Sequence, residues 1–481
     1  MRPDSGTRLV SGESPVLVGG SPLRVLRLTP AGGRQVTAWF AGQRVGDGAA
    51  ARRLARRLLD TGIAYPDPAP GDGPSARDVT VVIPVKDRHT ELARCLAGLR
   101  EAAAPYGGDA YRIIVVDDCS ADPAGIEKIV AAGVAGARVV RRPVNGGPGA
   151  ARNTGLAAAS TDFVAFLDSD CVPQAGWLDG LLPHFADPAV GAAAPRIVPH
   201  EAGTGWLGRY EGASSTLDMG ARPSIVRPGA RVPYVPGAAL VVRRSAAGEG
   251  FAPGMFVGED VDFVWRLAAA GWRVRYEPGA VMGHDHRVRL RAWFSRRADY
   301  GTSAAALEEL HPGVVRPLYA SWWTAGAWAA ALSGRPVTAA AVTGTATALL
   351  ARRLSDVTGE PWPEGSTVAA AWKLAARLAG GGTLTAGRPL GSALSRTWWP
   401  FAIPAAVAVP KLRLPLAALM LAPPLLDWAD RRPPLDPVRY VAARLLDDAA
   451  YSVGVWRGCL RHRTARPLIP VIGGSRDRLF P

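Results

Sequence analysis

Three groups of residues in this chain have the types and spacing to do chemistry. Asp168-Ser169-Asp170 follow the apolar run Phe163-Val164-Ala165-Phe166-Leu167, so two carboxylates one residue apart leave a strand at its C-terminal end. Hard oxygens paired in this way suit Mg²⁺ or Mn²⁺, ions that complete their shells with water and substrate phosphates; a strand closed by an acidic turn is the plainer reading. Gly258-Glu259-Asp260-Val261-Asp262 opens a helical pattern in which Asp262 and Arg266 share a face. Carboxylates in a first turn are held ionised by the helix dipole and the free amides, which makes Glu259 and Asp260 candidates for a general base; an N-cap explains them equally. Asn145-Gly146-Gly147-Pro148-Gly149 turns into a helix carrying Arg152. Close backbone approach, a helix start and a guanidinium together suit a diphosphate, although a helix-start turn needs no ligand. Finally, His284 and His286 alternate on one side of an extended segment, where imidazole can ligate a metal or donate a proton, or serve only structure.

These side chains need a sheet to gather them. Val79 to Val85 is a β-branched run ending at Lys86-Asp87-Arg88, and a helix follows through Leu92, Leu96 and Leu99. Tyr111 to Val116 repeats the pattern and ends on Asp117-Asp118. Strand, helix, strand at this interval predicts a right-handed βαβ unit with Asp87, Asp117 and Asp118 at one edge, where carboxylates can accept from a nucleobase or ribose. Beyond Asp170, a helix is expected through Trp177, Leu178, Leu181 and Leu182, and strands over Val190–Val198 and Tyr234–Val242.

Composition narrows the function classes. The chain has 481 residues, 48% of them hydrophobic, so two or three units are expected: 1–75, 78–300 and 311–481. Net charge is +15, carried by arginines scattered without a basic block, so nucleic acid ranks last and phosphorylated substrates or anionic lipid rank ahead. Cys95, Cys119, Cys171 and Cys459 are far apart, which points to a reducing, cytoplasmic setting without structural zinc. No basic-then-apolar signal pattern opens the chain. In the first unit, short strands at 14–18 and 23–28 precede an amphipathic helix over Ala49–Thr61 with leucines on one face and arginines on the other. Docking, lid or plain structural roles all remain open for it.

As an ordered set, VVIPVKDR, VVDDCS, NGGPGAARNTGL, FLDSD and GEDVDFVWR resemble the nucleotide-diphospho-sugar transferases of inverting glycosyltransferase family two, over residues 78–300. The resemblance implies an α/β GT-A fold, a Rossmann-like and mostly parallel sheet, flanked here by a small N-terminal α+β unit and a helical, apolar C-terminal region. It implies a UDP-sugar donor held at Pro84, Asp87, Asp117, Asp118, Gly147, Arg152 and Asp168. It further implies Mg²⁺ or Mn²⁺ at Asp170 and His284, and Asp260 as catalytic base with Glu259 assisting acceptor placement. RLRAW at 289–293 lacks the glutamine of processive polysaccharide synthases, so processivity is not implied.

GGSPLRVLRLTPAG, ARRLLDTGIAYPDP and the arginine-punctuated C-terminal third extend the resemblance to an actinobacterial branch of that family. That branch attaches β-linked glucose from UDP-glucose to a peptide-derived redox cofactor, a small-molecule acceptor. A lipid-linked or cell-wall glycan acceptor is the alternative, and a nucleotide-sugar-binding protein without catalysis is a second. In the last unit, Pro317–Gly334 and Pro336–Ala351 are uncharged runs near the length that spans a bilayer, and Thr397–Pro410 and Leu414–Leu426 are shorter and proline-rich. Tryptophans beside arginines fit the headgroup region, so attachment to the inner face of the membrane and a soluble helical bundle are both expected outcomes.

Overall fold

The computed structural model describes residues 1–10, 15–69, 71–104, 111–201, 203–357 and 367–473. Two compact units divide the chain: Met1–Leu9, Leu17–Leu26 and Ala31–Arg287 form one, and Val10–Val16, Arg27–Pro30 and Val288–Pro481 form the other.

The first unit is built on a nine-stranded sheet. Its strands are β1 (Val79–Val85), β2 (Arg112–Asp117), β3 (Arg138–Arg141), β4 (Phe163–Leu167), β5 (Cys171–Pro173), β6 (Val190–Pro199), β7 (Ser224–Ile225), β8 (Ala239–Arg243) and β9 (Arg273–His284). Their order is β5-β9-β6-β8-β4-β1-β2-β3, with β7 paired to β9. The β3-β2-β1-β4 portion is parallel throughout, so the chain leaves all four strands at one edge. Past β4 the sheet is mixed, because β8 runs antiparallel to both β4 and β6 while β6 and β9 are parallel.

Every residue of β1 and β4 is buried, which is why both read as unbroken apolar runs. Helix α1 (His89–Ala103) covers one face with Leu92, Cys95, Leu96 and Leu99, and α2 (Pro123–Gly133) adds Ile126 and Val130. Helix α3 (Gly147–Ala158) packs so closely that a Cβ on Gly155 would collide with the Val82 side chain. Helix α4 (Glu259–Ala269) begins after Gly258, whose φ of 83° lies in the left-handed region that suits glycine.

Two expectations fail here. Trp177, Leu178, Leu181 and Leu182 are buried, but they lie on successive turns that lead into the 3-10 segment Leu182–Ala186. Pro183 removes an amide and Gly176 takes φ 74°, so a continuous α-helix cannot run through. The strand expected from Tyr234 starts only at Ala239, because Pro236-Gly237 turn the backbone toward α4 before pairing begins.

The N-terminal residues of this unit are tied to the sheet by arginine–carboxylate forks. Arg56 grips Asp187, Arg273 grips Asp60, and Arg231 holds buried Asp4, with N···O distances of 2.5–3.1 Å. Arg56 and Asp60 belong to the helix Ala49–Asp60, which buries Ala51, Ala55 and Leu58 as its pattern requires. Short strands at Val16–Gly19 and Arg24–Arg27 match the expected positions, with Ser14 outside the described residues, and a helix at Pro30–Phe40 joins them.

The second unit is helical. Leu290–Leu310 and Pro437–Arg461 are its longest close-packed pair, and a Cβ on Gly301 or Gly454 would strike the facing backbone. Buried Asp447 and Asp448 are met by Arg297, Arg396 and Arg444, so the charges inside this pack are compensated. Of the described helices, one is long and apolar enough to cross a membrane: Pro410–Arg431, a stretch whose prolines and flanking bases made it look weaker in sequence than the two runs before it.

Candidate active site

The carboxyl ends of β1, β2 and β4 bring the sequence candidates to one edge. Asp87 and Cys119, just past β1 and β2, both have positive φ (56° and 66°), a conformation that non-glycine residues hold only when their surroundings enforce it. The enforcing contacts are direct: Ser120 Oγ accepts from the Asp87 amide at 2.9 Å, and Asp87 Oδ1 accepts from the Ala121 amide at 2.7 Å. Lys86 beside Asp87, with that amide, holds its carboxyl below the ordinary range while leaving it largely exposed. Pro84 pairs with Val116 inside the sheet and sets the course of the strand.

Asp117 and Asp118 are both buried, and their oxygens are engaged by the protein. Asp117 accepts from the Ser120 amide at 2.8 Å and pairs with Arg141. Asp118 accepts from Arg142 Nε at 2.8 Å, from Gly146 N at 3.0 Å and from Gly147 N at 2.8 Å. Its carboxylate therefore fixes the glycine-rich turn against the sheet edge. Gly147 has φ 81°, and a Cβ there would sit 2.7 Å from the Phe256 ring, so glycine is required on two counts. Arg142, which also donates to the Ala150 carbonyl and Thr154, was not singled out from the sequence; in so arginine-rich a chain no spacing marks it.

Arg152 joins the end of β4 to the start of α4. Its guanidinium is buried, donating to Asp168 Oδ1 at 2.7 Å and to Glu259 Oε1 at 2.8 Å. Burial works against the arginine's charge, but the carboxylates of Asp168, Glu259 and Asp260 outweigh it and keep it protonated. Glu259 is pushed up to about 7 by burial and by neighbouring Asp260, with Arg152 opposing. Asp260 itself is half-buried at the start of α4; Oδ2 accepts from Gly237 N at 2.7 Å and Oδ1 from Val261 N at 2.8 Å. A Cβ on Gly237 would lie 2.9 Å from the Asp260 Cβ, so the Pro236-Gly237 turn seats this carboxylate.

A second cluster sits where β5 pairs with β9, Cys171 opposite His284. His284 Nε2 lies 3.4 Å from Asp170 Oδ1, and Arg88 pairs with the other Asp170 oxygen. Burial would raise the Asp170 carboxyl, yet His284 and Arg88 hold it well below the ordinary range. Asp170, Cys171 and His284 place ligand atoms within 4.8 Å of one another. Burial keeps the Cys171 thiol protonated and it donates to the Ala238 carbonyl, so the usable donors are the Asp170 carboxylate and the imidazole. His284 Nδ1 is buried without a hydrogen-bond partner. An oxygen and a nitrogen donor with an unsatisfied imidazole fit a hard or borderline divalent ion. No spacing in the sequence marks Arg88 as the partner of Asp170, 82 positions further along the chain.

The fold and this edge define a GT-A nucleotide-diphospho-sugar transferase, and a family model described as "Glycosyl transferase family 2" matches residues 80–251. The chain belongs to that family and is a glycosyltransferase. Its similarity runs end to end with the "Pre-mycofactocin glycosyltransferase" of Mycobacterium tuberculosis (strain H37Rv), 40% identical over 479 residues, 96% of each chain. The O-antigen chain rhamnosyltransferase RfbN of Salmonella typhimurium is 28% identical over 161 residues, 32% of this chain and 51% of that one. Among solved structures, a mannosyltransferase of Pyrobaculum calidifontis in complex with GDP-Man and Mn²⁺ is 20% identical, with a TM-score of 0.40, covering 83% of this chain and 98% of that chain.

Proposed function

We propose that this glycosyltransferase moves glucose from UDP-glucose, with inversion, onto a hydroxyl of pre-mycofactocin or of its growing glucoside. The observation that carries the acceptor is the end-to-end similarity to the pre-mycofactocin glycosyltransferase, which takes in the N- and C-terminal segments as well as the sheet. For the chemistry, the support is Arg152, whose two carboxylate partners tie the strand-end Asp168 to the helix that presents Asp260.

Asp260 takes the proton of the acceptor hydroxyl as that oxygen attacks the anomeric carbon, and the bond to UDP breaks with its electron pair leaving on the diphosphate. The two backbone amides on its oxygens fix the orientation of the carboxylate. Asp170 and His284 are the residues that would hold Mg²⁺ or Mn²⁺, whose charge would stabilise the departing diphosphate. The Gly146-Gly147 turn and exposed Asp87 line the edge that receives the nucleotide, with Asp118 positioning the turn from behind.

Incubating the enzyme with a panel of UDP- and GDP-sugars and either pre-mycofactocin or a polyprenyl-linked acceptor, followed by mass spectrometry, tests the reading. Hexose addition to pre-mycofactocin from UDP-glucose is the expected product. Transfer only from another donor, or only to a polyprenyl-linked acceptor, would contradict it.

A further inference from the structure

The second unit carries an exposed apolar surface. Helices Trp399–Ala408 and Arg413–Arg431 are joined by the 3-10 turn Pro410–Leu412. Along them Phe401, Val407 and Leu414 are 61%, 69% and 80% exposed, and Ile403, Val409 and Leu421 are exposed too. Single exposed apolar side chains are ordinary, but a continuous run of them marks a contact surface. In the long apolar helix Pro410–Arg431 only 11% of the most hydrophobic window is buried, where a core helix would be mostly covered.

Charge identifies the occupant. From Gly365 to Leu426 the sequence has no Asp or Glu; Arg388 and Arg396 in this stretch pair with Asp430 and Asp448 further along the chain, while Lys411 and Arg413 lie at the turn between the two helices. Lys411 and Arg413 stand exposed at the turn itself, and Arg413 also donates to the Ala406 and Val407 carbonyls, which closes the end of the shorter helix. A second copy of the chain would bring the same positive charge to such a contact. An anionic bilayer brings the complement. The helical run that ends at Ala408 begins at Gly387, and its first half buries Gly391, Ala393, Ser395 and Thr397 inside the unit, so only its last stretch and the turn that follows are free to meet lipid.

We infer that this helical hairpin docks the enzyme on an anionic lipid surface. Its apolar side chains enter the acyl boundary, while Lys411 and Arg413 meet the lipid phosphates. The inference stands on the second unit alone and does not depend on the donor or acceptor.

Flotation of the full-length protein with phosphatidylcholine vesicles, with and without phosphatidylglycerol, tests it. The protein should float with the phosphatidylglycerol vesicles, and rising salt should release it. Lys411→Glu with Arg413→Glu should weaken binding roughly tenfold or more. Val407→Asp with Leu414→Asp should abolish it; both positions face solvent, and an unchanged circular dichroism spectrum and thermal midpoint would show the fold intact. Protein that stays unbound with both vesicle types, or variants that float as the parent does, would overturn the inference. So would a stable dimer that dissociates on Val407→Asp and binds no vesicles, since a second copy would then cover the surface.

Discussion

Arg152 sits among three carboxylates, and the balance among them is the chemistry of the site at its smallest scale. Glu259 has an ordinary value near 4.5 and is raised to about 7 in the fold, chiefly by burial. The raised value favours the neutral acid in the folded protein. Stability linked to it is complete below about pH 4.5 and is lost as pH rises through about 7, amounting to up to about 3 kcal/mol. Glu259→Gln keeps the neutral shape at every pH. The thermal midpoint of the parent should therefore fall relative to that variant between about pH 5 and about pH 8; a constant difference would refute the linkage. Asp170 gives a second prediction. Asp170→Ala should make UDP binding indifferent to Mn²⁺ in a titration with and without the ion, and a metal response equal to the parent's would remove Asp170 from the metal site. The positions of Asp87, Asp168, Asp170 and Asp260 were legible because each ends a strand or starts a helix, and those boundaries are written locally in apolar runs and glycines. The partners Arg88, Arg142 and Arg152 select were not, because a fold brings them together across separations the chain does not mark.

At the scale of elements, α3 matters most. Asp118 fixes its first turn, Arg152 reaches Asp168 and Glu259 from its second, and Gly155 lets it lie flat on β1. Gly155→Ala must push against the Val82 side chain, overpacking that costs about 1–3 kcal/mol. The midpoint of chemical denaturation should drop accordingly, and an unchanged midpoint would mean that α3 is free to shift. Strands β1, β2 and β4 were readable since burial on both faces writes a continuous apolar run. The segment from Trp177 to Leu182 misled because turns can bury the same leucines at a helix-like spacing when Gly176 and Pro183 interrupt the backbone.

For the molecule as a whole, the N-terminal helix Ala49–Asp60 is tied by ion pairs to Asp187 and Arg273 and buries Ala51, Ala55 and Leu58. Asp60→Asn combined with Asp187→Asn should speed amide exchange across that helix while β1 and β4 stay protected. Equal exchange in parent and variant would show that Ala51, Ala55 and Leu58 suffice to hold it. Sequence gave no sign of these forks, since Arg56–Asp187 and Arg273–Asp60 each join residues more than a hundred positions apart. The apolar character of the C-terminal third was plain in composition. That Trp322, Val337 and Leu414 stay exposed while Ala371 and Ala375 are buried is set by helix packing, which composition does not show.

The central claim is that carboxylates from distant segments form one transfer site, with Asp260 taking the acceptor's proton. Asp260→Asn, assayed in parallel for glucose transfer and for UDP binding, tests it most directly. Transfer should fall by about 10²–10⁴-fold while UDP affinity stays within a small factor of the parent's. Turnover at the parental rate, or a loss of UDP binding that alone accounts for the lost transfer, would contradict the account.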